Sequence, residues 1–301
     1  MAPGPQTTKI FAVVNRKGGV AKTTTAVALA HGLAMRLLQP AEDPPVRQTV
    51  SLNGQTLAVH GHVLLIDLDP QGNCATALGV RPDGADVADL LTGKQAITDS
   101  VISVDRSEDG LPRPNLWLLP ASNRLADAKN ELLIADFVKM MNNRGGRQGV
   151  PLLDVLHERL QVAIERFAYI IIDCPPTIDA LSNAIYQFAQ AAIVPVKVDY
   201  LSAAGTAQHV GDIRNAQMEG IEIAIHTILP TFYVKRQVLD QQIVEALQKT
   251  YGARRVAEPI PKNQVVAEAP AYLGGATIFE YAPDSPAAEA YWQLVERVFH
   301  G

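Results

Sequence analysis

The sequence predicts a doubly wound α/β fold, a mostly parallel sheet with helices on both faces, and three observations point to it. Short apolar runs rich in β-branched residues recur along the chain, each followed by a helical pattern. Continuous runs of this kind belong to strands buried on both faces. One of them, "IFAVV" (10–14), leads through "NRKGGVAKTTT" (15–25) into the helical "AVALAHGLA". Strand, Gly-rich turn and helix in that order are the layout of a phosphate-binding loop. Two more runs, "VLLID" (63–67) and "YIIID" (169–173), end on aspartates, at the strand ends where open α/β sheets bind ligands. The expected architecture is that of a P-loop NTPase with an inserted β-hairpin.

In chain order, the first strand (10–14) and the helix after residue 21 come first, and Pro40, Pro44 and Pro45 should stop that helix. Proline lacks the N–H donor and clashes with the preceding turn. An insertion over about 40–60 follows, and in it "TVSL-NG-QTLAV" sets Asn53-Gly54 between alternating residues, the strongest short-range hairpin signal. Strands are then expected at 63–67, "NLWLLP" (115–120), 169–173, "AAIVPV" (191–196) and "IEIAIHTIL" (221–229). A second insertion, the basic, glycine-rich "NNRGGRQGVP" (142–151), precedes the helical "LLDVLHERLQVAIERF". The closing "PDSPAAEAYWQLVERVFHG" reads as an amphipathic helix with Ser285 as N-cap and Pro286 at its first position. With no internal repeat and no low-complexity linker, residues 1–301 are expected to form a single domain.

Composition narrows the function classes. The chain has 301 residues, 48% hydrophobic and 19% charged, which promises a large buried core. Its net charge of −5 means that nucleic-acid binding must come from a local basic patch. The two cysteines, Cys74 and Cys174, are too few for a disulfide scaffold and fit a reducing cytoplasm. No signal-like apolar core precedes the first strand and no run approaches a membrane span, so a cytoplasmic protein is expected.

The chemistry concentrates in the loop at 17–24. Gly18 and Gly19 let the backbone approach phosphates, while successive N–H groups and the next helix's N-terminus supply positive potential. Lys22 would reach the β- and γ-phosphates and the Thr23 hydroxyl would ligate Mg²⁺. Carboxylates near that ion, and a group to orient the attacking water, are expected among Asp67, Asp69 and Asp173. Ala21 occupies a usual glycine position. Alanine resists φ > 0, so an ordinary backbone angle is expected there.

These segments resemble the ParA group of the deviant Walker A ATPases, a class that includes MinD and the nitrogenase iron protein. The resemblance rests on "KGGVAKTTT" (17–25), "VLLIDLDPQGN" (63–73) and "YIIIDCPPT" (169–177), with "IVPVKVDYLSAAG" (193–205) and "IPKNQVVAEAP" (260–270) further on. It implies an ATP hydrolase that uses ATP and Mg²⁺, with Lys17, Gly18, Gly19, Val20, Ala21, Lys22, Thr23 and Thr24 cradling the phosphates. Lys17, the extra lysine that opens the loop, would cross an ATP-sandwich homodimer to the partner's phosphates. Lys22 and Asp69 complete the implied catalytic set, Asp69 orienting the attacking water, and Thr23, Asp69 and Asp173 form the metal side. Asp173 would act through water. Pro261 and Asn263 would line the adenine, with Lys262 where relatives often have arginine. Arg16 stands where they often have glutamine. The family's DNA-binding arginines correspond to Arg214 and Arg236, with Lys235, Arg254 and Arg255 nearby.

The resemblance thus implies a partition ATPase for a plasmid or chromosome. Non-specific DNA and a ParB-like protein would be its partners, on the nucleoid. With nine residues ahead of the first strand, no preceding operator-reading domain is expected. A protein cargo is the alternative. A MinD-like membrane role fits less well, since the polar face of the last helix carries Glu289 and Glu296 against Arg297, and membrane-surface helices are Lys/Arg-rich. An iron–sulfur protein, an ATP-dependent ligase and a metal site at His60 and His62 find weaker support.

Overall fold

A computed structural model describes residues 7–40, 48–52, 54–142, 151–177 and 179–301. Its strands are β1 (Lys9–Val13), β2 (Leu38–Pro40), β3 (Thr49–Leu52), β4 (Gln55–Val59), β5 (Val63–Asp67), β6 (Ile102–Ser103), β7 (Leu116–Leu119), β8 (Tyr169–Asp173), β9 (Ala191–Lys197) and β10 (Ala224–Thr231). The first five α-helices are α1 (Lys22–Arg36), α2 (Asn73–Leu78), α3 (Val87–Leu91), α4 (Ile97–Ser100) and α5 (Arg124–Asn142). They are followed by α6 (Val155–Arg159), α7 (Gln161–Arg166), α8 (Ala180–Phe188) and α9 (Tyr200–Met218). The last four are α10 (Val238–Tyr251), α11 (Gln264–Glu268), α12 (Ile278–Tyr281) and α13 (Pro286–His300).

Seven strands form the main sheet in the order β10-β9-β1-β8-β5-β7-β6. All its pairings are parallel except that of the edge strand β6, which the sequence does not announce. Side chains alternate across the sheet, so each strand feeds two cores. Ile10, Ala12 and Val14 join the core beneath α5, α8 and α9, whereas Phe11 and Val13 join the one beneath α1 and α13. This is the doubly wound arrangement read from the apolar runs.

The register Val13↔Asp173 and Asp67↔Asp173 brings three strand ends level at one edge of the sheet. The last strand starts three residues later than expected, at Ala224, and runs to Thr231. The helical stretch after Pro151 is broken at Leu160, whose backbone (φ −106°, ψ 9°) separates α6 from α7.

The first insertion forms its own three-stranded antiparallel sheet, β2-β4-β3. The pair Leu52↔Gln55 closes the expected hairpin, and Gly54 has φ +77°. Asn53, Pro44, Pro45 and most of the 142–151 loop lie outside the described residues. Pro40 sits on the edge strand β2, where a missing N–H is tolerated. As expected, Ser285 caps α13, with its hydroxyl accepting from Ala288 N at 3.2 Å, and the helix packs on α1 with Tyr291, Leu294 and Val298 buried.

One contact ties distant segments together. Gly79 ends α2 with φ +68°, and a Cβ there would lie 2.2 Å from the Gly274 carbonyl oxygen. A Cβ on Gly275 would lie 2.1 Å from Gly79 N. Buried Arg113 holds the same junction, donating to the Leu78 and Gly275 carbonyls at 2.8 Å while pairing with Glu280.

Candidate functional site

The loop between β1 and α1 is fixed from beneath by side chains. Buried Asn15 donates to the Pro195 carbonyl at 2.7 Å and accepts the Lys17 N–H at 3.0 Å. The Thr231 hydroxyl, at the end of β10, donates to the Val20 carbonyl at 3.2 Å. Lys22 Nζ turns back onto the Lys17 carbonyl at 3.0 Å. A Cβ placed on Gly18 or Gly19 would meet nothing within 4 Å, so the space over the loop is open.

Ala21 departs from expectation. It has φ 70° and ψ 33°, the left-handed conformation, and serves as N-cap of α1 without a side-chain hydrogen bond. The Ala21 carbonyl accepts the Thr25 N–H at 2.9 Å, so helix and loop closure together impose the angle that glycine usually supplies. Gly72, the N-cap of α2, is likewise left-handed and uncapped. Two helix N-termini without side-chain caps therefore begin beside the loop, and such ends attract anions.

The aspartates have distinct surroundings. Asp67 is fully buried and accepts from Asp69 N (2.9 Å) and Cys74 N (3.0 Å); burial pushes its pKa up to about 6. Its role is thus to fix the turn that follows it. Asp69, half-buried at the rim, accepts the Gln71 N–H at 3.0 Å. Asp173 is buried with the Cys74 thiol 3.4 Å from Oδ2, and its Oδ1 has no hydrogen-bond partner among the described residues. Burial first, then the Asp67 charge, pushes it up to about 7, opposed by the neighbouring Thr23 hydroxyl, the Cys74 thiol and the Lys22 charge. Burial lowers the pKa of Lys22, while Asp173 opposes the shift.

An orphaned carboxylate oxygen beside a threonine hydroxyl and a lysine is a fit for a hard cation with its anionic ligand. Asp67, Cys74 and Asp173 place ligand atoms within 4.8 Å of one another, but both Asp67 oxygens are occupied by backbone N–H groups. Burial raises the Cys74 thiol well above its ordinary value, so no thiolate is on offer to a soft metal. The residues that could hold a cation are therefore Thr23 and Asp173, with Asp69 at the rim. Both cysteines are buried and unpaired, as expected of small core residues.

Lys17 faces away from the loop. Its Nζ lies 3.4 Å from Asp199 Oδ1, in the turn before α9. Arg16 reaches Asp212 of α9, also at 3.4 Å. The sequence does not single out Asn15, Thr231, Asp199 or Asp212 as supports of the loop, because each acts across the fold.

A cavity of about 300 Å³ adjoins Thr23 and Thr24, lined also by Val27, Asn73, Thr76, Val266 and Ile278. Pro261 and Asn263 do not line it. The Asn263 side chain accepts the Val265 N–H at 3.2 Å and caps α11, and Pro261 bridges to Tyr233. Of the candidate DNA contacts, Arg214 is exposed on α9, while Lys235 and Arg236 are exposed in the turn preceding α10. Arg236 stands two residues ahead of α10. The Arg214 charge acts on Tyr251, at the far end of α10. Tyr251 and Arg236 lie at opposite ends of α10.

Among the described residues no helix is long and apolar enough to cross a membrane. An AAA-domain family model matches residues 8–39 and 47–226. Over 295 residues the chain is 30% identical to the sporulation initiation inhibitor protein Soj of Bacillus subtilis, covering 96% of this chain and 98% of that one. It is 32% identical to the chromosome-partitioning ATPase Soj of Thermus thermophilus, covering 96% and 94%. The structure of an ATP complex of a Cyanothece McdA variant matches with TM-score 0.74 at 20% identity, covering 98% and 97%.

Proposed function

Because the chain belongs to the AAA-domain family, among its ParA/MinD-type P-loop ATPases, we propose that it is a DNA-partition ATPase. Its ATP-bound dimer binds DNA without regard to sequence, and a ParB-like partner stimulates hydrolysis and release. The observation that carries this reading is the divergence of the two loop lysines. Lys22 Nζ lies inside the loop on the Lys17 carbonyl, whereas Lys17 Nζ stands outside it against Asp199. A lysine so directed adds nothing to its own cradle and can exchange Asp199 for the phosphates of a second copy.

In this reading the N–H groups of residues 18–24 and Lys22 bind the triphosphate. Thr23 and the unpartnered Asp173 oxygen would hold Mg²⁺. The ion, when bound, neutralises charge on the phosphate oxygens. Asp69, at the rim, accepts a proton from and orients the attacking water. Lys17 of the second copy answers the charge that develops in the transition state, as an arginine finger does.

Two copies carry twice the −5 of one chain, so DNA must be held by a patch. Arg214, exposed on α9, and Arg236, exposed ahead of α10, would supply that patch. Phosphate contacts carry no sequence information and are weakened by salt. A mobility shift on random duplex with ATP, ADP and no nucleotide tests the proposal. Retention should appear with ATP and be lost in the Arg214→Glu/Arg236→Glu variant, while dimerisation persists. Equal retention in all three nucleotide states would overturn it.

A further inference from the structure

Arg16 and Lys17 are neighbours in the chain, yet their carboxylate partners, Asp199 and Asp212, sit far apart, one just ahead of α9 and one within it. The helical residues between them rise about 18 Å, so the two side chains reach in opposite directions along the helix. The loop entry thereby grips α9 at two points. In the proposed dimer Lys17 leaves Asp199 for the phosphates, and the Arg16–Asp212 pair remains.

At Asp212 the pair is a charge contact at 3.4 Å: its Oδ2 has no hydrogen-bond partner among the described residues, so Arg16 is what answers its charge. Besides Arg16, its carboxylate faces His209, 3.9 Å away and buried to 2% exposure, and its charge also acts on Tyr186 of α8. Burial, then Lys22 and Arg16, lower His209 to about 4, which leaves it neutral and Arg16 as the answering charge. Neither ring nitrogen of His209 has a hydrogen-bond partner among the described residues. The ring borders a cavity of about 20 Å³ shared with Asn15, Arg16, Pro175, Pro176 and Tyr186. Loop entry, the turn after Asp173, α8 and α9 therefore meet at one small polar junction.

We propose that Arg16 is a positioning residue: through Asp212 it couples the nucleotide state of the loop to the placement of α9, the helix that carries Arg214. The inference rests on the reading above for what α9 then does, but the coupling itself is measurable without DNA. The experiment is hydrogen exchange of the full chain, with and without a slowly hydrolysed ATP analogue.

In the wild type, amides of residues 208–218 should gain protection when the analogue binds. In Asp212→Asn and in Arg16→Gln that gain should fall by about two- to fivefold, the range for a partly exposed ion pair. Protection of residues 17–24 should remain, showing that nucleotide still binds. The double variant should be no worse than either single one. Arg16→Asp combined with Asp212→Arg should restore the gain. Arg16→Lys, which keeps the charge, should retain most of it and stands in if Arg16→Gln fails to fold. An unchanged gain in both single variants, additive losses, or no response of α9 in the wild type would overturn the proposal. Lack of DNA retention by a wild type whose α9 does respond would refute the DNA reading alone.

Discussion

Replacing Ala21 by glycine should stabilise the protein. Ala21 holds φ 70° and ψ 33°, where the Cβ of an L-residue crowds the following carbonyl at a cost of about 1–2 kcal/mol. Glycine removes that strain but gives the unfolded chain more freedom, worth about 0.4–1 kcal/mol in the opposite direction. The net gain is about 0.5–1 kcal/mol. Unfolding entropy near 2.1 cal/mol/K per residue gives the 301-residue chain about 0.6 kcal/mol/K, so the melting temperature should rise by roughly 1–1.5 °C. Differential scanning calorimetry of the nucleotide-free protein resolves this, with Ala21→Val as the opposite control because a β-branched residue is worse there. The sign is decisive. If Ala21 had an ordinary angle, glycine would destabilise by about 0.5–1 kcal/mol; a lowered melting temperature would refute the left-handed assignment.

The buried carboxyls predict a pH dependence. Asp67 and Asp173 are raised from 3.8 to about 6 and about 7, so the folded chain binds their protons more tightly than the unfolded one. Their contribution is fully present below about pH 4 and is lost as pH rises through 6 and 7. Thermal unfolding without nucleotide from about pH 5 to 8 should show the decline, and Asp173→Asn should flatten it; an equal slope in both would count against the assignment. For the loop lysines, Lys22→Ala should abolish ATP binding. Lys17→Ala should retain it and lose ATP-dependent dimerisation by light scattering, and a normal dimer from that variant would remove its trans role.

Much of the fold is legible in the sequence because its signals are local. Runs such as "YIIID" are buried on both faces and carry no charged residue until the strand ends, so they mark both strand and site edge. Asn53-Gly54 and Ser285-Pro286 encode a turn and a cap within a few residues. What escapes is set by contact between distant segments. Ala21 takes its angle from the closure of the loop on α1, against its own preference. Asp67 reads as one of three carboxylates at strand ends beside the phosphate loop, yet its two oxygens serve the backbone of the next turn. Arg16 is inexplicable beside its sequence neighbours and acquires a partner from a helix almost two hundred residues later. The cavity beside Thr24 draws on α1, α2 and residues 266–278, a conjunction no spacing rule anticipates.

The Gly79–Gly275 contact bears on how that cavity opens. One wall is α2 and the other the segment ending at Ile278, and their backbones touch where neither can admit a side chain. Arg113 rivets the same seam by bonding a carbonyl on each side. Walls fastened at their base cannot part like a clam shell. They travel as one jaw, and any widening that admits or releases a ligand must come from the opposite side, where α1 and its loop begin.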